Sequence, residues 1–143
     1  MDNLAGERKR TLEGLLFLIL VFSFAFFYHP ALYDNALTRL DLTHSIVLHK
    51  TIDIDDYHFN TIDKAHARGH FYCDKAPGLS LAAAPVLAGL RFLLKSVTFD
   101  PANPLVAYIL TFLIVSIPSA FAYLLLFRII RGARLEWRAE VGA

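Results

Sequence analysis

The chain has 143 residues, 56% of them hydrophobic, with 12 Phe and a net charge of +1. Its mean hydropathy of +0.47 is high for a soluble domain of this size. The single cysteine, Cys73, excludes an internal disulfide and any Cys-x-x-Cys zinc site, and the absence of a long basic patch away from the two ends argues against nucleic acid as a partner.

The apolar residues fall in three blocks, Gly14–Leu32, Gly78–Leu94 and Leu105–Phe127. That pattern predicts an all-α integral membrane protein with two or three membrane helices. Residues 1–13 form a cytoplasmic head in which Arg8, Lys9 and Arg10 precede the first apolar block, an arrangement that keeps the head inside and sends the next loop outside. The block 14–32 is longer than a signal-peptide core, and no small-x-small site follows it. It reads as an uncleaved membrane helix.

Residues 33–77 are an extracytoplasmic loop of 45 residues. It holds seven aspartates and five histidines, nearly balanced by Arg39, Lys50, Lys64, Arg68 and Lys75. Ala36–Leu48 spaces Leu37, Leu40, Ile46 and Val47 as a surface-lying amphipathic helix would. Asn60–Ala67 reads as a second short helix, capped by Asn60 or Thr61 and ended by Gly69. Residues 78–94 form a short membrane or re-entrant helix, weakened by Pro85 and Gly89 and rich in small residues suited to close packing. After a turn-rich linker, 95–104, the block 105–127 runs 23 residues without a charge, more than the about 20 that cross a bilayer. The basic tail, 128–143, carries Arg128, Arg131, Arg134 and Arg138 and reads as cytoplasmic. Three full crossings would put it outside, so the charge rule and the block count conflict.

Asp74 and Lys75 stand at the mouth of the third-quarter apolar block, followed by Ala76, Pro77 and Gly78. An acid and a base at a water–lipid boundary can take a metal and an anionic phosphate respectively, or simply cap a helix and face headgroups. Asp34 and Asp41 could each serve as a general base toward a hydroxyl or be ordinary surface carboxylates. Arg39 could meet Asp41 or a lipid phosphate. Asp53, Asp55 and Asp56 with His58 make a small acidic group whose spacing is not that of a calcium loop. His58, His66 and His70 match no zinc pattern.

Asn60–Leu90, NTIDKAHARGHFYCDKAPGLSLAAAPVLAGL, resembles a segment of bacterial polytopic glycosyltransferases of the GT-C superfamily. The resemblance is to the group related to dolichyl-phosphate-mannose protein mannosyltransferases and rhizobial lipopolysaccharide-core transferases. Gly69, His70, Phe71, Tyr72, Cys73, Asp74, Lys75, Ala76, Pro77 and Gly78 follow the order of a stretch that closes the first periplasmic loop in that family.

The resemblance implies a transferase of the inner membrane that moves a hexose or pentose from a polyprenyl-phosphate donor to an extracytoplasmic glycan, lipid or protein. It puts Lys75 and Arg39 on the donor phosphate, Asp74 on a divalent cation (Mg or Mn), and Asp34, or next Asp41, in the role of base. It also implies two short helices in the loop. Such enzymes run to many spanning helices, so this chain corresponds to an N-terminal portion, not expected to work alone. The other reading is a small non-enzymatic subunit that packs its small-residue helix, through Ala83, Ala84 and Gly89, on a membrane partner. A transporter has little support, since no charge marks a path through the longest block.

Overall fold

The computed structural model describes residues 2–28, 33–94 and 99–141, without the side chains of 2–6, 9 and 134–141. The end of the first apolar block (29–32), Lys95 and the start of the linker lie outside the described residues, as do the side chains of Arg134 and Arg138. The described chain is mostly helical: α1 (Asp2–Phe26), α2 (Asp34–His44), a two-stranded hairpin β1 (Lys64–Ala67) and β2 (His70–Cys73), α3 (Gly78–Leu93), α4 (Pro104–Thr111) and α5 (Ile117–Val141). It divides into two compact units, Met1–Phe27 with Val115–Ala143, and Tyr28–Ile114.

Among the described residues, one helix is long and apolar enough to cross a membrane. It runs 30 residues from Pro104 to Ala133 through α4, a π-helical turn at Phe112–Ser116 and α5, with a mean hydropathy of 2.3 in its most apolar window. At about 1.5 Å per residue it spans ~45 Å, more than the ~30 Å hydrocarbon core of a bilayer. Only 17% of that window is buried within the protein, which is not how a soluble protein treats its central helix. Asn103 starts the helix by accepting hydrogen bonds from the backbone N–H groups of Leu105 and Val106, with Pro104 at the first helical position. Pro118 has no N–H to offer the preceding turn, and the wide π turn just ahead of it accommodates that loss.

In the first unit α1 packs along α5. The ring of Phe24 meets that of Tyr123 at 6.2 Å. Arg128 donates through Nε (2.9 Å) and Nη2 (2.6 Å) to Oε2 of Glu13. Ile19, Phe22, Phe26 and Ile129 point away from the protein, each more than 60% exposed. Such an outward apolar surface suits lipid better than water.

In the second unit the core is Leu40, Val47, Ala83, Ala84, Leu87, Val106, Ala107 and Leu110, contributed by α2, the turn after it, α3 and α4. The small side chains of Ala83 and Ala84 let α3 approach α2 closely. Ser80 Oγ donates to the carbonyl of Arg39 (2.9 Å) across that contact. α3 passes through Pro85 unbroken, with Pro85 exposed.

Two expectations for the loop are corrected. The helix over Ala36–Leu48 does not lie on a surface. It is α2 followed by a π-helical turn, Ser45–His49, and Thr38, Asp41, Thr43, His44 and Ser45 are buried as fully as Leu40. Two of its polar side chains make local bonds, Thr43 Oγ1 donating to the Arg39 carbonyl (2.7 Å) and His44 Nδ1–H to that of Leu40 (2.8 Å).

The helix expected over Asn60–Ala67 is instead a 3₁₀ turn, His58–Asn60, running into β1, so the loop is not all-α. An isolated helix of eight residues is marginal. Here Arg68 and Gly69 take positive φ (53° and 85°), the conformation of a two-residue hairpin turn, and pair Ala67 with His70. The aromatic β2 is held on its other edge by Asp53, bridged to Tyr72, and by the Ile54 N–H, which donates to the Phe71 carbonyl.

Candidate functional site

The second unit gathers polar groups in three places. The first is the inward face of α2, where Thr38, Asp41 and His44 recur at every third residue and so share one side of the helix. All three have essentially no solvent exposure. Asp41 Oδ1 accepts a hydrogen bond from Asn60 Nδ2 at 3.0 Å, whereas Oδ2 is buried without a partner. Burial drives its carboxyl up to about 7; the Asn60 bond lowers it somewhat and the charge of Asp100 raises it further.

His44 is held below the usual imidazole range by burial, and so is neutral. Because its Nδ1–H must donate to the Leu40 carbonyl, Nε2 is left as an acceptor, also buried and unpartnered. The face thus presents a carboxyl poised near neutrality beside a neutral imidazole, with the Thr38 hydroxyl also free. A group of that kind can accept a proton from a hydroxyl at physiological pH.

The second place is the foot of the hairpin. Lys75 Nζ lies 3.0 Å from Asp74 Oδ2 and 3.2 Å from Asp63 Oδ2. The hydrogen bonds it donates to the two carboxylates, that to Asp74 first, hold the ammonium charged to higher pH than an ordinary lysine. Two carboxylates therefore converge on one cationic point, which a phosphate could share or a cation replace. Asp63 comes into reach because β1 begins one residue after it and Lys64 pairs with Cys73.

The third is an unexpected relay. His49 Nδ1 faces Asp56 Oδ2 at 3.3 Å, and its Nε2 accepts from the Tyr57 hydroxyl at 3.0 Å. The Tyr57 ring in turn meets His44 edge-on, with centroids 6.1 Å apart. Burial, and then the charge of Asp56, push the Tyr57 phenol above its usual range, so it donates rather than ionises.

The residues singled out in the sequence are dispersed among these places. Asp41 lies in the first and Asp74 with Lys75 in the second. Asp34 is engaged in holding the loop: its Oδ1 accepts the Ile62 N–H (2.9 Å) and its carbonyl accepts Thr61 Oγ1 (3.0 Å). Arg39 is turned back on its own helix, donating through Nη1 to the carbonyl and the side-chain oxygen of Asn35.

The acidic group divides. Asp55 accepts from the Phe71 N–H (2.7 Å) and His70 Nδ1 (2.6 Å), and Asp56 faces His49. His58 stacks on Phe71 at 4.3 Å, and among the described residues no three His, Cys, Asp or Glu side chains gather as a metal set. Sequence reasoning missed Thr38, His44, Asn60, Asp63 and the His49–Tyr57 pair. The three-residue spacing of Thr38, Asp41 and His44 was the available signal for the first of these.

Compared with protein-family models, characterised proteins and solved structures, the chain matches none.

Proposed function

We propose that this chain is the N-terminal part of a membrane glycosyltransferase that moves a sugar from a polyprenyl-phosphate donor to an extracytoplasmic acceptor. The observation that carries the reading is Asp41, a fully buried carboxyl held at about 7 with one oxygen free. Asp41 takes the proton of the acceptor hydroxyl. It is preferred over Asp34, which is only partly buried and whose Oδ1 ties down the Ile62 N–H. Lys75 faces the charge that develops on the leaving phosphate, and the Asp63–Asp74 pair keeps it protonated and in place. A divalent cation (Mg or Mn) would be held by Asp74 and would supply Lewis acidity at that phosphate, Asp63 remaining on Lys75.

The chain resides in the inner membrane with its head and tail both cytoplasmic. What supports this is the Glu13–Arg128 pair, which joins the charged residue just before the first apolar block to the one just after the last. The path between them then crosses an even number of times, and α3 enters without a net crossing. Ala83 and Ala84 are used inside the chain against α2, so a membrane-protein partner would have to engage the exposed Ala82, Ala88 and Gly89.

The test is transfer of a labelled sugar from a lipid-linked donor in membranes carrying the complete enzyme. Asp41→Asn and Lys75→Met should each abolish transfer while the protein still inserts. Wild-type transfer in both variants would refute the assignment.

A further inference from the structure

The first unit holds a buried acid that the sugar-transfer reading does not use. Glu13 is 6% exposed, although Leu12 and Leu15 beside it are more than half exposed. Both donors from Arg128 go to Oε2, and Oε1 is buried with no partner. A carboxylate oxygen in that condition calls for an N–H or O–H donor. Glu13 lines a groove of about 420 Å³ together with Arg10, Gly14, Phe17, Phe121, Leu124 and Arg128.

The chemistry of this lining is mixed in an ordered way. Arg10 sits three residues before Glu13, hence on the same side of α1, and is exposed. Arg131, the next arginine on α5, lies over the Phe127 ring at 5.6 Å. Gly14 leaves open space where a side chain would stand. Phe17, Phe121 and Leu124 form an apolar wall. The groove therefore offers an acceptor for an ammonium, a guanidinium for an anion, and a wall for hydrocarbon, all within one short stretch.

We infer that this groove binds the headgroup of an aminophospholipid, its primary ammonium donating to Glu13 Oε1, its phosphate on Arg10 and its acyl region against Phe17 and Phe121. Phosphatidylethanolamine meets all three demands. Phosphatidylcholine carries the same charges but no N–H to donate, and phosphatidylglycerol has the phosphate without the cation. A free phosphate would leave Oε1 unsatisfied and the apolar wall bare. The surrounding membrane supplies this ligand at the depth where a basic head meets an apolar helix.

The experiment is native mass spectrometry of the full chain in detergent with phosphatidylethanolamine, phosphatidylcholine and phosphatidylglycerol added in equal amounts. A charge-assisted hydrogen bond gained by only one of them should give phosphatidylethanolamine about a tenfold excess of adducts. Glu13→Gln should bring phosphatidylethanolamine down to the level of phosphatidylcholine. Arg10→Gln, at an exposed position that leaves the helix pair intact, should reduce both by a similar factor. Equal occupancy of the first two lipids by the wild type would overturn the inference, as would a preference for phosphatidylglycerol. Undiminished phosphatidylethanolamine binding by Arg10→Gln would overturn it as well. None of these readouts depends on sugar transfer.

Discussion

Replacing Asp41 with asparagine removes one titrating group and barely alters the shape of the side chain. In the wild type this carboxyl has no solvent exposure and is raised from its ordinary 3.8 to about 7. Below the lower value it is protonated in both folded and unfolded chains, and its burial incurs no penalty from ionisation. As the pH rises above that value, the unfolded chain ionises while the folded one keeps its proton, so the folded state loses stability. The loss levels off above about pH 7, where the folded carboxyl ionises too. The displacement is about 3 pH units, which at about 1.4 kcal/mol each amounts to ~4 kcal/mol.

The variant has no such term. Its unfolding free energy relative to wild type should therefore improve by roughly 4 kcal/mol between about pH 4 and pH 8. Denaturant unfolding of both proteins in one detergent, followed by circular dichroism at a series of pH values, measures that difference. Titrating groups common to both chains cancel. A difference flat with pH would show that Asp41 is not held protonated by burial, and one that moves in the wild type's favour would refute the sign.

The hairpin carries a second pH signature. The Asp55 carboxylate raises the His70 imidazolium above its ordinary 6.5, and the Phe71 N–H and then His70 hold Asp55 below 3.8. The pair therefore supports the hairpin from mildly acidic to near-neutral pH. That support is lost as pH falls through the Asp55 value or rises through that of His70. In an NMR titration Asp55→Asn should return His70 to an ordinary midpoint, and an unchanged midpoint would contradict the assignment.

Leu87→Ala empties a position with no solvent exposure between α2 and α4 and should cost about 3 kcal/mol in the same unfolding assay. Gly69→Ala meets no neighbouring atom and is strained only by its φ of 85°. It should cost about 1 kcal/mol, and a much larger loss would mean that the turn has a close neighbour.

The long helix was legible because a charge-free run of that length leaves few alternatives. Its cap was not read, because Asn103 and Pro104 were counted with the turn-rich linker, although they have the spacing a helix start requires. The hairpin was not legible, although its turn was in view. A four-residue strand is too short for its alternation to stand out from a helix turn, and the polar residues around Asp63 also make a good first turn of a helix. What decides between them is the pairing of Lys64 with Cys73, a contact no local pattern contains.

The inward face of α2 failed for a different reason. Reading an amphipathic helix presumes that its polar side meets water, and Thr38, Asp41 and His44 instead turn into the protein. That exception is also where the candidate base lies. Local rules that fail in a cluster of this kind are often the mark of a site.

The ion pair between α1 and α5 has a consequence for how the protein is made. Glu13 and Arg128 are 115 residues apart in the chain. At about 5–20 residues per second, the acid emerges on the order of ten seconds before its cation exists. The whole second unit, Tyr28–Ile114, is synthesised in that interval. α1 therefore spends the interval with a bare carboxylate on the face it will later bury, a state that burial disfavours until the cation arrives. A ribosome stalled anywhere before Arg128 would hold the chain in that state.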